Sequence, residues 1–218
     1  GSTVNPFTGE YPAEPDTEPR PMGHFICFDR WGQPSQAEQK RGVPFHGEAT
    51  KVVWRVDRQP EPENGTVTAA MSCELPLGGM TLSRTAKLHD AAPVMEVTET
   101  ITNNNPLGRL YNIVQHPSIA PPFLDESTLI DCNAWMGHMQ EALAPDGPVI
   151  YWPHIAYKGR LVDYRRLFDD HNPGVVSYIF PDDCETGWVT AVNPEQGVLV
   201  GYIWNTSEYP WLNLWRNV

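Results

Sequence analysis

Three short segments concentrate ionisable side chains beside glycine, proline and aromatic rings. They are Gly23-His-Phe-Ile-Cys-Phe-Asp-Arg-Trp-Gly32, Val43-Pro-Phe-His-Gly-Glu48 and Val114-Gln-His-Pro-Ser-Ile-Ala-Pro-Pro-Phe123. An imidazole titrates near neutral pH and can take or deliver a proton there. Turn-forming residues hold the backbone in irregular, often concave places, and loops on a rigid scaffold are where binding groups tend to sit. A fourth stretch, Trp204-Asn-Thr-Ser-Glu-Tyr-Pro-Trp-Leu-Asn-Leu-Trp215, sets the carboxylate of Glu208 among aromatic rings.

The elements that must position these groups are strands. From Thr66 to Leu75, residues Val67, Ala69, Met71, Cys73 and Leu75 alternate with polar neighbours, which predicts a strand with one face buried. Met80 to Leu88 and Val94 to Thr102 repeat the pattern across turn residues, so the three runs read as an antiparallel meander. Its second turn predicts that Leu88 meets Met95, Ala86 meets Val97 and Leu82 meets Ile101. The same register sets Arg84 opposite Glu99 as an ion pair within an apolar stripe. Further strands are expected over 51–56, 110–115, 149–152, 175–180, 188–192, 198–204 and 211–215, with one short helix around Ser35 to Lys40. Short strands separated by Pro, Gly and Asn argue for an all-β sandwich or barrel. The proline-rich stretch 1–22 reads as an extended lead-in and 23–218 as a single β-sandwich domain.

Composition narrows the partners. The formal charge of -12 repels phosphate backbones and anionic membrane surfaces. No apolar run approaches the roughly 20 residues that span a bilayer. Neither nucleic acid nor membrane is therefore expected as a partner. The four cysteines are widely spaced, form no CxxC pair and read as buried free thiols. Asn64 and Asn205 head sequons that matter only in a glycosylating pathway.

Taken in order, the segments resemble the aldose 1-epimerase, or galactose mutarotase-like, family. There an arginine-bearing segment precedes a His-Gly motif and a Trp-containing strand, matched by Arg30, His46-Gly47 and Trp54. A strand ending in Thr-Asn then leads through a proline-flanked loop to a His-Pro segment, matched by Thr100-Ile-Thr-Asn103, Pro106 and His116-Pro117. The resemblance implies an antiparallel β-sandwich that interconverts sugar anomers without a cofactor or metal. It implies His116 as the general acid at the ring oxygen, with Arg30 and His46 binding substrate. Glu208 is the provisional base, although this stretch can also match a family strand that precedes the catalytic glutamate, in which case the base lies beyond Val218.

Trp204 is placed with the substrate-binding residues because CH-bearing sugar faces pack on flat rings. His154, near the basic run 158–166, is placed there as a contact for an anionic sugar. Two other classes stay open. A non-catalytic carbohydrate-binding protein, or an accessory domain of a polysaccharide-processing enzyme, needs only the aromatics and polar groups. A metal-dependent cupin is suggested by His46-Gly-Glu48, but no His-x-His accompanies it.

Overall fold

In the first half of the chain the strands run β1 (His24–Phe28), β2 (Arg55–Glu63), β3 (Thr66–Leu75), β4 (Met80–His89), β5 (Met95–Asn103) and β6 (Ile113–Pro117). The second half contributes β7 (Leu129–Cys132), β8 (Met136–Met139), β9 (Ile150–Tyr151), β10 (His154–Tyr157), β11 (Arg160–Asp163), β12 (Gly174–Ile179), β13 (Thr186–Asn193), β14 (Val198–Asn205) and β15 (Trp211–Arg216). Among the described residues the only helical elements are α1 (Gln36–Lys40) and a 3-10 turn at Glu48–Thr50, so the protein is nearly all β, with antiparallel sheets. The computed structural model describes residues 23–140, 147–166 and 174–216. The expected lead-in over 1–22 lies outside them. The chain divides into two compact units, Gly1–Ser118 and Ile119–Val218.

The first unit is built on the meander β2-β3-β4-β5. Strand β3 has the bounds its alternation predicts, and the β4–β5 register is the expected one: Leu88 pairs with Met95, Ala86 with Val97, Arg84 with Glu99 and Leu82 with Ile101. Burial along this stripe is graded. Leu75, Met80 and Leu82 are sealed at the Pro76–Gly79 end, whereas Leu88 and Met95 are 49% and 52% exposed at the far end. The expected buried face therefore holds at one end of the meander and fades toward the other.

The strand expected over 51–56 starts later and runs longer. Trp54 Nε1 donates to the Ala49 carbonyl at 3.0 Å, which keeps the preceding residues in a turn and out of the ladder. Pro60 and Pro62 then lie inside β2, a position open to proline because β2 is an edge strand with two register shifts. Asn64 and Gly65, both at positive φ (49° and 76°), close the β2–β3 hairpin.

Strand β6 is likewise displaced from the expected 110–115; its partner is β1, in antiparallel register with Phe25 opposite His116 and Ile26 opposite Gln115. Helix α1 forms where expected. Ser35 accepts from the Glu38 amide at 3.3 Å, and the Glu38 carboxylate accepts from the Ser35 amide at 2.7 Å. Ile26, Phe28, Ala49, Cys73, Leu75, Met80 and Leu82 form the core of this unit.

The second unit holds the sheets β15-β12-β8-β9 and β14-β13-β7 and the hairpin β10-β11. Val176, Tyr178, Ile150 and Ile155 are sealed in its core. Buried Asn193, at the end of β13, donates to the Phe123 carbonyl and to Asp125, both at 2.8 Å, and so ties the incoming loop to the sheet. Cys27, Cys73 and Cys132 are buried free thiols and Cys184 is partly buried. Burial pushes the first three up to about 12.

Candidate functional site

In the first unit the β1–β6 ribbon and the loop after α1 bring together two of the histidines singled out in the sequence. Pairing puts Phe25 and His116 side by side, and their rings stack at 4.4 Å with 17° between planes. His46 meets this stack edge-on, 5.4 Å from His116 and 5.6 Å from Phe25, and Phe45 also meets His46 edge-on at 4.0 Å.

The backbone places His46 by an unusual route. His46 and Gly47 both lie at positive φ (63° and 79°), and Gly47 bridges to Phe28 of β1. A Cβ on Gly47 would sit 1.9 Å from the Phe28 carbonyl oxygen, so only glycine permits this approach. The non-glycine positive φ at His46 is the sort of strain that persists where the surroundings over-determine it. The Gly32 amide donates to His46 Nδ1 at 3.0 Å, and Cys27 Sγ lies 3.4 Å from the same nitrogen. Nδ1 thus acts as an acceptor, and the neutral ring carries its proton on Nε2.

Burial pushes His46 down to about 4, helped by neighbouring His116. His116 is also lowered, again mainly by burial. Both imidazoles are therefore predominantly neutral at pH 7.

The opposite face of the same ribbon is tied to the meander. Arg84 Nε donates to Glu99 at 2.8 Å, its NH1 to the His24 carbonyl at 3.1 Å and its NH2 to Gln115 Oε1 at 3.0 Å. Gln115 Oε1 also lies 2.9 Å from His24 Nε2, which must then be the donor. Burial, followed by Arg84, lowers the His24 pKa. The ion pair anticipated from the register thus fixes the strands that carry Phe25 and His116. Gln115 and Phe25 were not picked out in the sequence as functional. Their signal is the period of two along the ribbon, which puts Phe25 with His116 on one face and His24 with Gln115 on the other.

The remaining candidates make contacts of their own. Arg30 directs its guanidinium to the Gln33 carbonyl at 2.6 Å and to Glu38 at 3.8 Å. Glu48 accepts from the Leu77 and Gly78 amides, each at 2.7 Å, so both of its oxygens serve the β3–β4 turn instead of joining His46. Among the described residues no group of three His, Cys, Asp or Glu is arranged to hold a metal ion.

Glu208, Trp204 and His154 belong to the second unit. Trp204 donates from Nε1 to the Tyr209 carbonyl at 2.9 Å, meets Phe180 edge-on at 5.6 Å and covers Gly187, so it is partly buried against the core of the second unit. Glu208 is exposed on the turn after β14, its amide bonded to the Asn205 carbonyl at 3.1 Å. His154 is exposed on β10 opposite Asp163, and its carbonyl accepts from the Tyr178 hydroxyl at 2.8 Å. Trp135, Trp211 and Trp215 are about half exposed, whereas Trp152 packs edge-on against Tyr178.

The fold and site define a nearly all-β protein with a paired-histidine, aromatic-lined surface on its first unit. Comparison with protein-family models, with curated proteins and with solved structures finds no match to the chain.

Proposed function

We propose that this chain is an aldose 1-epimerase-like protein on a galactose mutarotase-like β-sandwich, binding a sugar and interconverting its anomers. The observation that carries the reading is the meeting of His46 and His116, distant in sequence yet 5.4 Å apart between ring centres on an aromatic floor. In the reaction a carboxylate takes the proton of the anomeric hydroxyl while His116 gives a proton to the ring oxygen. The C1–O5 bond breaks, the open-chain carbonyl rotates about C1–C2, and closure on the other face returns both protons. His46, beside His116, is assigned to substrate.

The proton inventory constrains this mechanism. With His116 lowered by burial, its acid form declines as pH rises past that depressed value, so acceleration is greater near pH 6 than near pH 8. That same depression favours a second reading, non-catalytic carbohydrate binding, because a neutral imidazole readily hydrogen-bonds a hydroxyl without protonating it.

The test follows freshly dissolved α-glucose and α-galactose to anomeric equilibrium by polarimetry, with and without protein. Acceleration that disappears in His116→Asn, with circular dichroism unchanged, supports the enzyme. Absence of acceleration together with line broadening of sugar NMR signals supports the binding reading. Absence of both rejects a role with these sugars.

A further inference from the structure

We infer that Asn64-Gly65 is a site of self-modification: the Asn64 side chain cyclises onto the Gly65 nitrogen and hydrolyses to aspartate and isoaspartate, which loosens the β2–β3 hairpin. Asn64 is the only asparagine in the chain that glycine follows. The two residues form the loop between Glu63 and Thr66, which pair across the hairpin, and both are exposed.

Neither reacting group is held by a competing bond. Among the described residues the Asn64 side chain makes no hydrogen bond and the Gly65 amide donates none. Gly65 also has no side chain to crowd its nitrogen. Other asparagines differ in these respects. Asn105 and Asn193 precede proline, whose nitrogen has no proton to lose. Asn205 accepts at Oδ1 from the Ser207 amide at 3.0 Å, and Asn133 donates from Nδ2 to the Thr186 carbonyl at 2.8 Å.

Asn64 lies at φ 49°, within the turn, and must rotate about ψ to bring Cγ onto the Gly65 nitrogen, so closure draws on local opening of the tip. Strand β2 lends itself to such opening. It is an edge strand, exposed along its length, with two register shifts and with Pro60 and Pro62 inside it.

The chemistry needs only base and water. The Gly65 nitrogen loses its proton and attacks Asn64 Cγ; an N–Cγ bond forms, the Cγ–Nδ2 bond breaks, and ammonia leaves with a proton. The product is a cyclic imide. Water then opens it at either carbonyl. Breaking the new N–Cγ bond restores the backbone with aspartate, whereas breaking the original peptide bond routes the backbone through the side chain as isoaspartate.

Either product adds one carboxylate to a net charge of -12, giving -13, and places it beside Glu63 and Asp90. Asp90 already adjoins the loop: its amide donates to the Gly65 carbonyl at 3.0 Å, and a Cβ on Gly65 would stand 3.0 Å from its Oδ1. Isoaspartate also inserts a methylene into the main chain, so the loop no longer joins Glu63 to Thr66 in register.

The experiment incubates the whole folded chain at about pH 6.5 and about pH 8.5, beside a sample unfolded in urea that gives the rate set by sequence alone. Trypsin cleavage after Arg58 and Arg84 yields a peptide in which Asn64 is the only asparagine, and mass spectrometry reads the exchange of NH2 for OH there. The expected result is conversion at position 64 more than about tenfold faster than at any other asparagine, with both products present and the higher pH faster. Gly65→Ala, whose methyl crowds the nitrogen, should slow it about tenfold or more. In the converted chain the amides of β2 and of the start of β3 should exchange with solvent faster, while those of β12 stay unchanged.

A folded chain that keeps Asn64 intact while the unfolded sample converts it overturns the inference, because the hairpin would then protect the site. So does conversion that Gly65→Ala leaves unchanged, or a converted chain whose β2 amides exchange as before.

Discussion

Replacing Arg84 with Met should destabilise the first unit severely, and replacing Glu99 as well should recover most of that loss. The two side chains are 12% and 9% exposed and sit 2.8 Å apart on a stripe that includes Leu82, Ala86, Val97 and Ile101. Arg84→Met leaves the Glu99 carboxylate buried without its cation, which costs about 3–5 kcal/mol for a pair of this kind. It also removes the bonds to the His24 carbonyl and Gln115, worth about 1 kcal/mol each. Glu99→Leu is milder, about 2–3 kcal/mol, because Arg84 keeps those two acceptors. The double variant Arg84→Met/Glu99→Leu carries no orphaned charge and loses about 2 kcal/mol, so the singles and the double differ by roughly 5–8 kcal/mol of coupling.

Urea unfolding at pH 7 reads this as a fall in midpoint of about 2 M for Arg84→Met, with partial return in the double variant. Exchanging the two charges should recover less than the Met/Leu pair. A carboxylate at position 84 would face the His24 carbonyl oxygen, which cannot turn into a donor. Single effects that add to within about 0.5 kcal/mol would refute the reasoning, since they would mean that neither charge feels the other.

Gly47→Ala should cost more than about 3 kcal/mol or abolish folding, because the new methyl overlaps the Phe28 carbonyl at 1.9 Å on a backbone already at positive φ. Gly65→Ala, also at positive φ but only 3.0 Å from a movable Asp90 oxygen, should cost about 1 kcal/mol; equal effects in thermal unfolding would contradict the close approach at Gly47. The His46 pKa falls from 6.5 in the unfolded chain to about 4 in the folded one, so its contribution to stability is complete above about 6.5 and is lost as pH drops toward 4. Discounted for partial exposure, this is roughly 1 kcal/mol between pH 7 and pH 5. Urea midpoints at the two pH values should therefore converge in His46→Gln, and an unchanged pH dependence would mean that His46 is not held neutral by the fold.

Much of the meander was legible because each of its turns is short. When only a few residues join two strands, the turn limits the register and the alternation of apolar residues settles it. That is how the sequence alone matches Arg84 to Glu99. The β2–β3 hairpin escaped the same logic for a local reason: Pro60 and Pro62 make β2 look unlike a strand, and only its place at a sheet edge admits them. Asn64-Gly65 is the signal the sequence offers for that hairpin.

The meeting of His46 with His116 is a different kind of problem. The partners in the β1–β6 ladder are separated by the whole meander, so no turn fixes their register. It is fixed by Ile26 and Phe28 packing into the core with Ile113 alongside, and by Arg84 clamping the His24 carbonyl and Gln115. Had β6 slipped by one residue, Gln115 and Pro117 would face the Phe25 side and His116 would turn to the meander. Sequence order could nominate the two histidines through a resemblance. Only the packing of Ile26 and Phe28, which selects the face of β1, could put their rings on one surface.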